Sequence, residues 1–459
     1  MNVAVAAAAD PLDPATALLL RRMLCPLTGL AQSVGFARRG RLEPRVAVAG
    51  GDMTGVHVLG ERRPPREGAY HIGGSGTTYE EVVIHTLGET VERYSQFMPS
   101  HRRTLTASLA AMRAEGRRVV ANEDCRFFSG AQFGRSGFPF APLTEHTPVG
   151  WVAGLAFPGG EESWAPAQQA LVGYVKEETE PQYMAGVTTG TAAHTSIAAA
   201  TRNALLELVQ IDAAVGHWYG AVKAVEIVLD TRTEAVARVI GRRLRPGGPV
   251  PRFLWLPSAD LPGFAVACAL EWDELPRLAV GLGCDLVLQR AMYKAFLEGA
   301  AVAQLAKVIL FRQATSGQEP GAGDRDAIYD LDTNVARYAV HAEAAPAPEK
   351  LFGCPRKAAL DLPLDRGGDP EDDVRTLVDA LVARGKRMVL FDLTTADVWA
   401  LGFHVVRLWS PDLLCLPLPS APPLEHPRFA DYGGATHEAQ TSGSGTPRSV
   451  QSGHGAASW

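Results

Sequence analysis

Three stretches of the chain place carboxylates on otherwise apolar helical patterns. In GETVER, Glu89 and Glu92 lie three apart and share a helix face, and Arg93 is four on from Glu89, within its reach. The run Ser196 to Tyr219 is apolar around most of its circumference, the pattern of a buried helix, yet Asn203, Glu207 and Gln210 fall on one stripe at i, i+4 and i+7. Lys294 and Glu298 repeat the i, i+4 spacing amid Ala, Phe, Leu and Met. Taken singly, two of these have ordinary readings: a solvated face with an intrahelical ion pair for GETVER, and a plain salt bridge for Lys294 and Glu298. A carboxylate inside a buried helix is costly to leave alone and is best served by a cation. Four glutamates from three helices would suit Mg2+, a hard ion that takes oxygen ligands and commonly shares them with substrate phosphates. His85, one turn before Glu89, is a further candidate for such a site.

The elements that must position these groups follow from periodicity. Val82, Val83, Leu87, Val91 and Tyr94 recur at helical spacing, which predicts a helix over Tyr79 to Gln96, capped by Thr77 or Thr78 after GGSGTT. Gly186 to Ala193, mostly Gly, Thr and Ala, leads as a flexible run into the helix Ser196 to Tyr219; a strand Leu278 to Leu282 enters a helix over Leu286 to Phe311. These Gly- and Thr-rich approaches could turn backbone N–H groups toward phosphate oxygens. Each precedes a glutamate-bearing helix, a likeness too loose to count as a repeat. Further helices are expected at Ala17 to Met23, Leu105 to Glu115, Glu234 to Leu244 and Asp373 to Arg384. Strands are expected at Arg45 to Ala49, Gly55 to Leu59, Val222 to Leu229, Arg252 to Trp255, Ala265 to Trp272, Arg387 to Asp392 and His404 to Trp409, with a hairpin of Trp151 to Phe157 and Glu162 to Ala165 around PGG. Strands and helices mix without a strict βαβ rhythm, so the class is α+β.

With 459 residues, 46% hydrophobic, 20% charged and a net charge of −6, the chain reads as a soluble globular protein with no electrostatic case for nucleic acid. No run approaches a membrane span, and the alanine-rich N-terminus lacks a basic leader and holds Asp10 and Asp13, so no membrane association and a cytoplasmic location are expected. The six cysteines are scattered and read as free thiols. There is no GxxxxGK[ST], no GxGxxG in its strand-to-helix setting, and no HExxH. Gln313 to Asp326 reads as a surface loop, and the Ser-, Gly- and His-rich stretch from Ala435 onward as a disordered tail.

GGSGTTYEEVVIHTLGETVERYS, FPFAPLTEHTPVGWVAGLAFPGGEESWAPAQ, TTGTAAHTSIAAATRNALLELVQIDA and FDLTTADVWALGFHVVRLWSPDL, in that order, resemble the YcaO superfamily, ATP-dependent enzymes that modify peptide-backbone amides. GWVAG followed by WAPAQ looks most like its azoline-forming cyclodehydratases, the D proteins of thiazole/oxazole-modified peptide pathways. The resemblance implies a YcaO-type ATP-binding fold with mixed sheets and glutamate-bearing helices over residues 71–434, after an N-terminal extension of residues 1–70 and before a tail of 435–459. It implies ATP and Mg2+ as cofactors, with Glu89, Glu92, Glu207 and Glu298 holding the metal, Arg93 and Lys294 balancing charge, and Asn203 and Gln210 orienting nucleotide or ligands. Ser75, His85 and Thr86 fall where the family contacts the nucleotide. Three of these positions depart from the family pattern: His85 replaces a serine, Gly74-Ser75-Gly76 replaces Gly-Lys-Gly, and Lys294 replaces an arginine, keeping charge but not the bidentate fork. Pro417-Leu418-Pro419 stands near the C-terminus where azoline-forming members often end in PxPxP, but the chain continues to Trp459.

The chemistry implied is attack of a Cys, Ser or Thr side chain on the preceding backbone carbonyl, phosphorylation of the resulting oxygen by ATP, and loss of phosphate with ring formation. Related readings are thioamide or amidine formation by the same activation, and a non-catalytic scaffold that docks the peptide. Partners would be a ribosomally made precursor peptide and an E1-like or ThiF-like protein that reads its leader, because nothing in the chain looks like a dedicated leader reader; a homodimer is a further candidate assembly.

Overall fold

The computed structural model describes residues 12–56, 72–98, 103–258, 260–344 and 346–436. Three sheets carry the fold. Strands β1 (Ala31–Phe36), β2 (Ala47–Met53) and β3 (Gly73–Gly76) form an antiparallel sheet in that order. A six-stranded sheet runs β4 (Thr104–Ala107), β5 (Val149–Phe157), β13 (Met388–Asp392), β14 (His404–Trp409), β7 (Thr191–His194), with β6 (Glu162–Pro166) hairpinned onto β5. A five-stranded sheet runs β11 (Leu278–Asp285), β10 (Phe264–Glu271), β9 (Arg252–Trp255), β8 (Val225–Val228), β12 (Arg356–Ala358); β12 pairs parallel to β8 and the other strand pairs are antiparallel. Mixed sheets with interleaved helices make this the α+β class expected.

The helices that matter for the site are α1 (Pro14–Met23), α2 (Tyr79–Phe97), α3 (Leu109–Ala114), α4 (Ile197–Tyr219), α5 (Glu234–Gly241), α6 (Leu288–Thr315), α7 (Leu331–Val340) and α8 (Pro370–Ala383). Helix α4 packs on β7 and β14 of the six-stranded sheet, on β10 and β11 of the five-stranded sheet, and on α8. Being covered from several sides explains its apolar circumference, with Ala200, Ala204, Leu205, Leu208 and Ala213 fully buried. Helix α2 lies on β2 and β3, and α6 on β10 and β11.

Strands enter all three helices: β3 enters α2, β11 enters α6 as expected, and the run Gly186 to Ala193 read as flexible is coil and turn to Gly190 and becomes β7 only from Thr191, which enters α4. Their glycines answer to close packing. A Cβ on Gly74 would come within 2.3 Å of Thr86 Oγ1 and 2.5 Å of Val82 O, and one on Gly281 within 2.0 Å of Gly299 N. Each strand therefore lies directly against the helix it feeds, which locks the register of the glutamates to the sheets.

One other expectation is corrected. Leu105 is not helical: Thr104 to Ala107 pair with β5, Leu105 opposite Trp151, and α3 begins only after Ser108, whose side chain caps Ala111 N–H. Sheet pairing overrides the helical pattern there. The strand expected at Gly55 to Leu59 falls mostly outside the described residues, as does the tail beyond Thr436; Thr436 itself donates its N–H to Tyr219 O at 2.8 Å. The described part of the N-terminal extension is built into the same body, since β2 pairs with β3 and Thr16 Oγ1 donates to Glu80 at 3.2 Å. All six cysteines are free, and among the described residues no helix is long and apolar enough to cross a membrane.

Candidate active site

Thr78 caps α2, accepting from Glu81 N–H at 3.2 Å, and from that fixed start the helix presents Glu89, Glu92 and Arg93. Arg93 Nη2 donates to Glu89 Oε1 at 3.0 Å and its Nη1 lies 3.9 Å from Glu92 Oε1, also reaching Gln96 Oε1 at 3.2 Å. The ion pair expected between Glu89 and Arg93 is thus present, but Arg93 also joins the two acids.

On α4 from Thr201 to Tyr219 the partly accessible positions are Arg202, Asn203, Glu207, Gln210, Ala214 and Trp218, which apart from Arg202 form a single stripe along an otherwise buried stretch. Glu207 Oε2 accepts the Gly190 N–H at 3.1 Å. On α6 Lys294, Glu298 and Val302 continue a parallel stripe. Glu298 is open to water yet surrounded by protein, as expected for a carboxylate lining a cleft. Beyond the acids both stripes run into a cavity of about 490 Å3 lined by Ala214, Trp218, Leu282, Val302, Tyr338 and Pro417 among others. The acids and the apolar cavity wall thus share the same helix stripes, about one to two turns apart.

Burial raises three of the carboxyls. Glu207 is pushed up to about 7, with Arg93, Arg407 and the Gly190 N–H opposing the shift. Glu298 is also pushed to about 7 by burial and then by the charge of Glu89. Glu92 is held well above the carboxylate range, first by burial and then by Glu207 and Glu89. For Arg93 burial works against the charge, but Glu89, Glu92 and Glu207 together raise its pKa. The glutamates therefore sense one another across α2, α4 and α6.

The remaining expected residues divide. His85 Nδ1 donates to the Ser75 carbonyl at 2.7 Å, so β3 and α2 do bring these two together. Thr86 is corrected: 1% exposed, it donates its hydroxyl to Val82 O at 2.8 Å and packs beneath Gly74, because β3 covers that face of the helix. Lys294 does not pair with Glu298. Its amine donates to Asp285 Oδ2 at 2.8 Å and to Cys284 O at 3.2 Å, drawn by a carboxylate that is 1% exposed.

Sequence reasoning missed three groups. Arg202, next to Asn203, donates to Asp285 at 3.0 Å and to Asp373 at 2.5 Å, and its Nη1 reaches Asn203 Oδ1 at 3.3 Å. Burial opposes the charge of Asp285, but Lys294 and Arg202 hold its carboxyl below the usual range. Asp285→Ala would leave the largely covered Arg202 with Asp373 and Asn203 as its remaining partners, so a loss of about 3 kcal/mol is expected, read as a lower urea midpoint at unchanged slope. An unchanged midpoint would show that this network is not a brace. The third group is Arg407, an arginine set in the apolar run HVVRLW; that placement was the available signal.

Among the described residues no three His, Cys, Asp or Glu groups converge to hold an ion unaided. The donor set nonetheless fits Mg2+: it is all oxygen, and the charges of acids on α2, α4 and α6 raise one another's carboxyl pKa values, so a cation among them would favour their ionised forms. An ion that binds through one or two carboxylates and completes its shell with phosphate and water needs no closed cage.

A family model described as YcaO cyclodehydratase, ATP- and Mg2+-binding, matches residues 73–414. The chain belongs to the YcaO family. No curated protein sequence matches it. Among solved structures it is similar to a heterocyclase in complex with substrate and cofactor, at 19% identity and TM-score 0.68, covering 94% of this chain and 57% of that one. It is similar to YcaO from Methanopyrus kandleri bound with AMPPCP and Mg2+, at 17% identity and TM-score 0.53, covering 84% and 86%. A chain of the E. coli microcin synthetase McbBCD complex with pro-MccB17 bound matches at 13% identity and TM-score 0.57, covering 90% and 98%. At these identities the likeness is one of fold. The chain spans 57% of the first of these and 50% of the heterocyclase TruD, to which it is also similar.

Proposed function

We propose that the protein is an ATP-dependent cyclodehydratase that converts Cys, Ser or Thr residues of a ribosomally made peptide to azolines in the cytoplasm, with an E1-like protein presenting the peptide. The observation that carries this reading is that Glu89 and Glu92 on α2, Glu207 on α4 and Glu298 on α6 lie near enough for their charges to act on one another and on Arg93, with the carboxyls of Glu92, Glu207 and Glu298 raised. Membership of an ATP- and Mg2+-binding family supports it.

Glu89, Glu92, Glu207 and Glu298 would hold Mg2+, which when bound neutralises phosphate charge. The amide oxygen is a poor leaving group until phosphorylated, so the protein's work is mainly to position reactants and stabilise charge. Arg93 keeps the acids of α2 in place and remains charged at the centre of the site. Asn203 and Gln210, accessible on the stripe of Glu207, are placed to orient bound groups. The cavity lined by Trp218 and Tyr338 is mainly apolar and would offer a place for substrate side chains. His85, fixed by the Ser75 carbonyl, has Nε2 left for a ligand at the strand-to-helix turn.

The test is incubation with a Cys/Ser/Thr-rich precursor peptide, ATP, Mg2+ and the partner protein. Loss of one water mass per modified residue supports azoline formation. Exchange of oxygen for sulfur would redirect the reading to thioamide formation, and no ATP turnover with every partner supplied would leave a peptide-docking scaffold.

A further inference from the structure

Arg407 lies on β14 with its side chain wholly buried. Its guanidinium donates to four neutral acceptors: Thr189 O at 2.7 Å and Thr191 Oγ1 at 3.1 Å from Nη1, Gln169 O at 3.3 Å from Nη2, and Ala170 O from Nε. Burying a full charge on neutral partners is expensive, more than bracing these loops requires. The Thr189 carbonyl that it grips belongs to the same peptide unit as the Gly190 N–H, and that N–H donates to Glu207 Oε2 at 3.1 Å. A charge-assisted bond to one end of a peptide strengthens the donor at the other.

The relay is pinned in place by the same strand. Leu408 N–H donates to Gly190 O at 2.8 Å, and Gly190 has φ +85°; a Cβ there would meet Leu408 O at 2.3 Å. Strand β14 therefore supplies the cation and fixes the peptide through which it acts.

We propose that Arg407 is a positioning residue for the Glu207 carboxylate, acting through the Thr189–Gly190 peptide to aim that carboxylate at a divalent cation. The inference rests on the reading of Glu207 as a metal ligand. With Arg93 it makes a pair of cations flanking the acids, one in the cleft and one behind it.

The test uses Mn2+ alone, its binding to the full chain followed by loss of the free-ion EPR signal. Arg407→Lys keeps the charge but not the fork, and is expected to weaken Mn2+ binding roughly 10–100-fold, the usual effect of losing a group that orients a ligand. Thr191→Val removes a neutral partner of the same Nη1 and is expected to weaken it several-fold while folding normally; it decides the matter should Arg407→Lys not fold. Native Mn2+ affinity in a folded Arg407→Lys, or in Thr191→Val when the lysine variant does not fold, overturns the proposal. A Glu207→Gln arm separates the two ideas: weakened binding there beside native affinity in the Arg407 variant overturns the relay alone, whereas native affinity in Glu207→Gln overturns the metal-ligand reading and the relay with it.

Discussion

Glu207→Gln is expected to reduce peptide-dependent ATP turnover by about a thousandfold or more while leaving the protein folded. The substitution keeps volume, and the new side-chain oxygen can still accept the Gly190 N–H that Glu207 accepts at 3.1 Å. What it removes is a charge. An oxygen ligand to a catalytic cation contributes several kcal/mol to stabilising the reacting phosphates, and each 1.4 kcal/mol or so is a factor of ten in rate. Stability should move the other way: Glu207 is a buried carboxylate pushed up to about 7, so above that pH the native protein holds an unfavourable charge that the amide does not. A metal-free melting temperature equal to or above native, together with lost turnover, is the expected pair of results. Glu89→Gln should be equally inactive but less benign, because the 3.0 Å ion pair with Arg93 goes with it. Peptide cyclisation near the native rate in either variant would remove the metal assignment.

The helices of this site were legible because their signals are local. Apolar spacing located α2 and α4 to within a residue or two, and Glu89 and Arg93 were paired by i, i+4 geometry alone. Glu207 could be singled out because a carboxylate on an otherwise buried helix has few cheap explanations. What stayed hidden was set by distant contacts. Lys294 reads as a partner for Glu298, but Asp285 at the end of β11 captures it, and neither the end of the strand nor the arrival of Arg202 from α4 is written in local spacing. Thr86 stands beside His85 in sequence; only the approach of β3, allowed by Gly74, shows that it is covered. The Gly-rich run before α2, which reads as flexible, is the strand β3, and at Gly74 the helix it feeds leaves no room for a Cβ. Arg407 is the sharpest case: three of its four partners are the backbone carbonyls of residues 169, 170 and 189, which no side-chain pattern reports.

Metal binding should be strongly pH dependent, with the loss falling on the acid side of about pH 7. Glu207 and Glu298 both sit at about 7, raised from an ordinary 4.5 by burial, and burial also holds Glu92 well above its ordinary value. A cation must displace these protons, so below their pKa affinity falls by about tenfold per pH unit for each proton displaced. Mn2+ or Mg2+ affinity should accordingly drop by about a hundredfold per unit once both carboxyls are protonated. The stability of the metal-free protein obeys the opposite sign. Between 4.5 and about 7 the folded state holds protons on Glu207 and Glu298 that the unfolded chain has released, so unfolding free energy contributed by these groups decreases as pH rises through that window and levels off above it. Added Mg2+ reverses the trend by binding only the deprotonated folded form. Buried His217 and His426, whose pKa values burial lowers from 6.5, act against this on the acid side, so the informative quantity is the difference between the native protein and a Glu207→Gln, Glu298→Gln double variant. In EDTA that difference should turn against the native protein as pH rises toward neutrality. If the native protein instead gains stability relative to the double variant over the same range, the carboxylates are already compensated within the fold, and a cation has no vacant charge to fill.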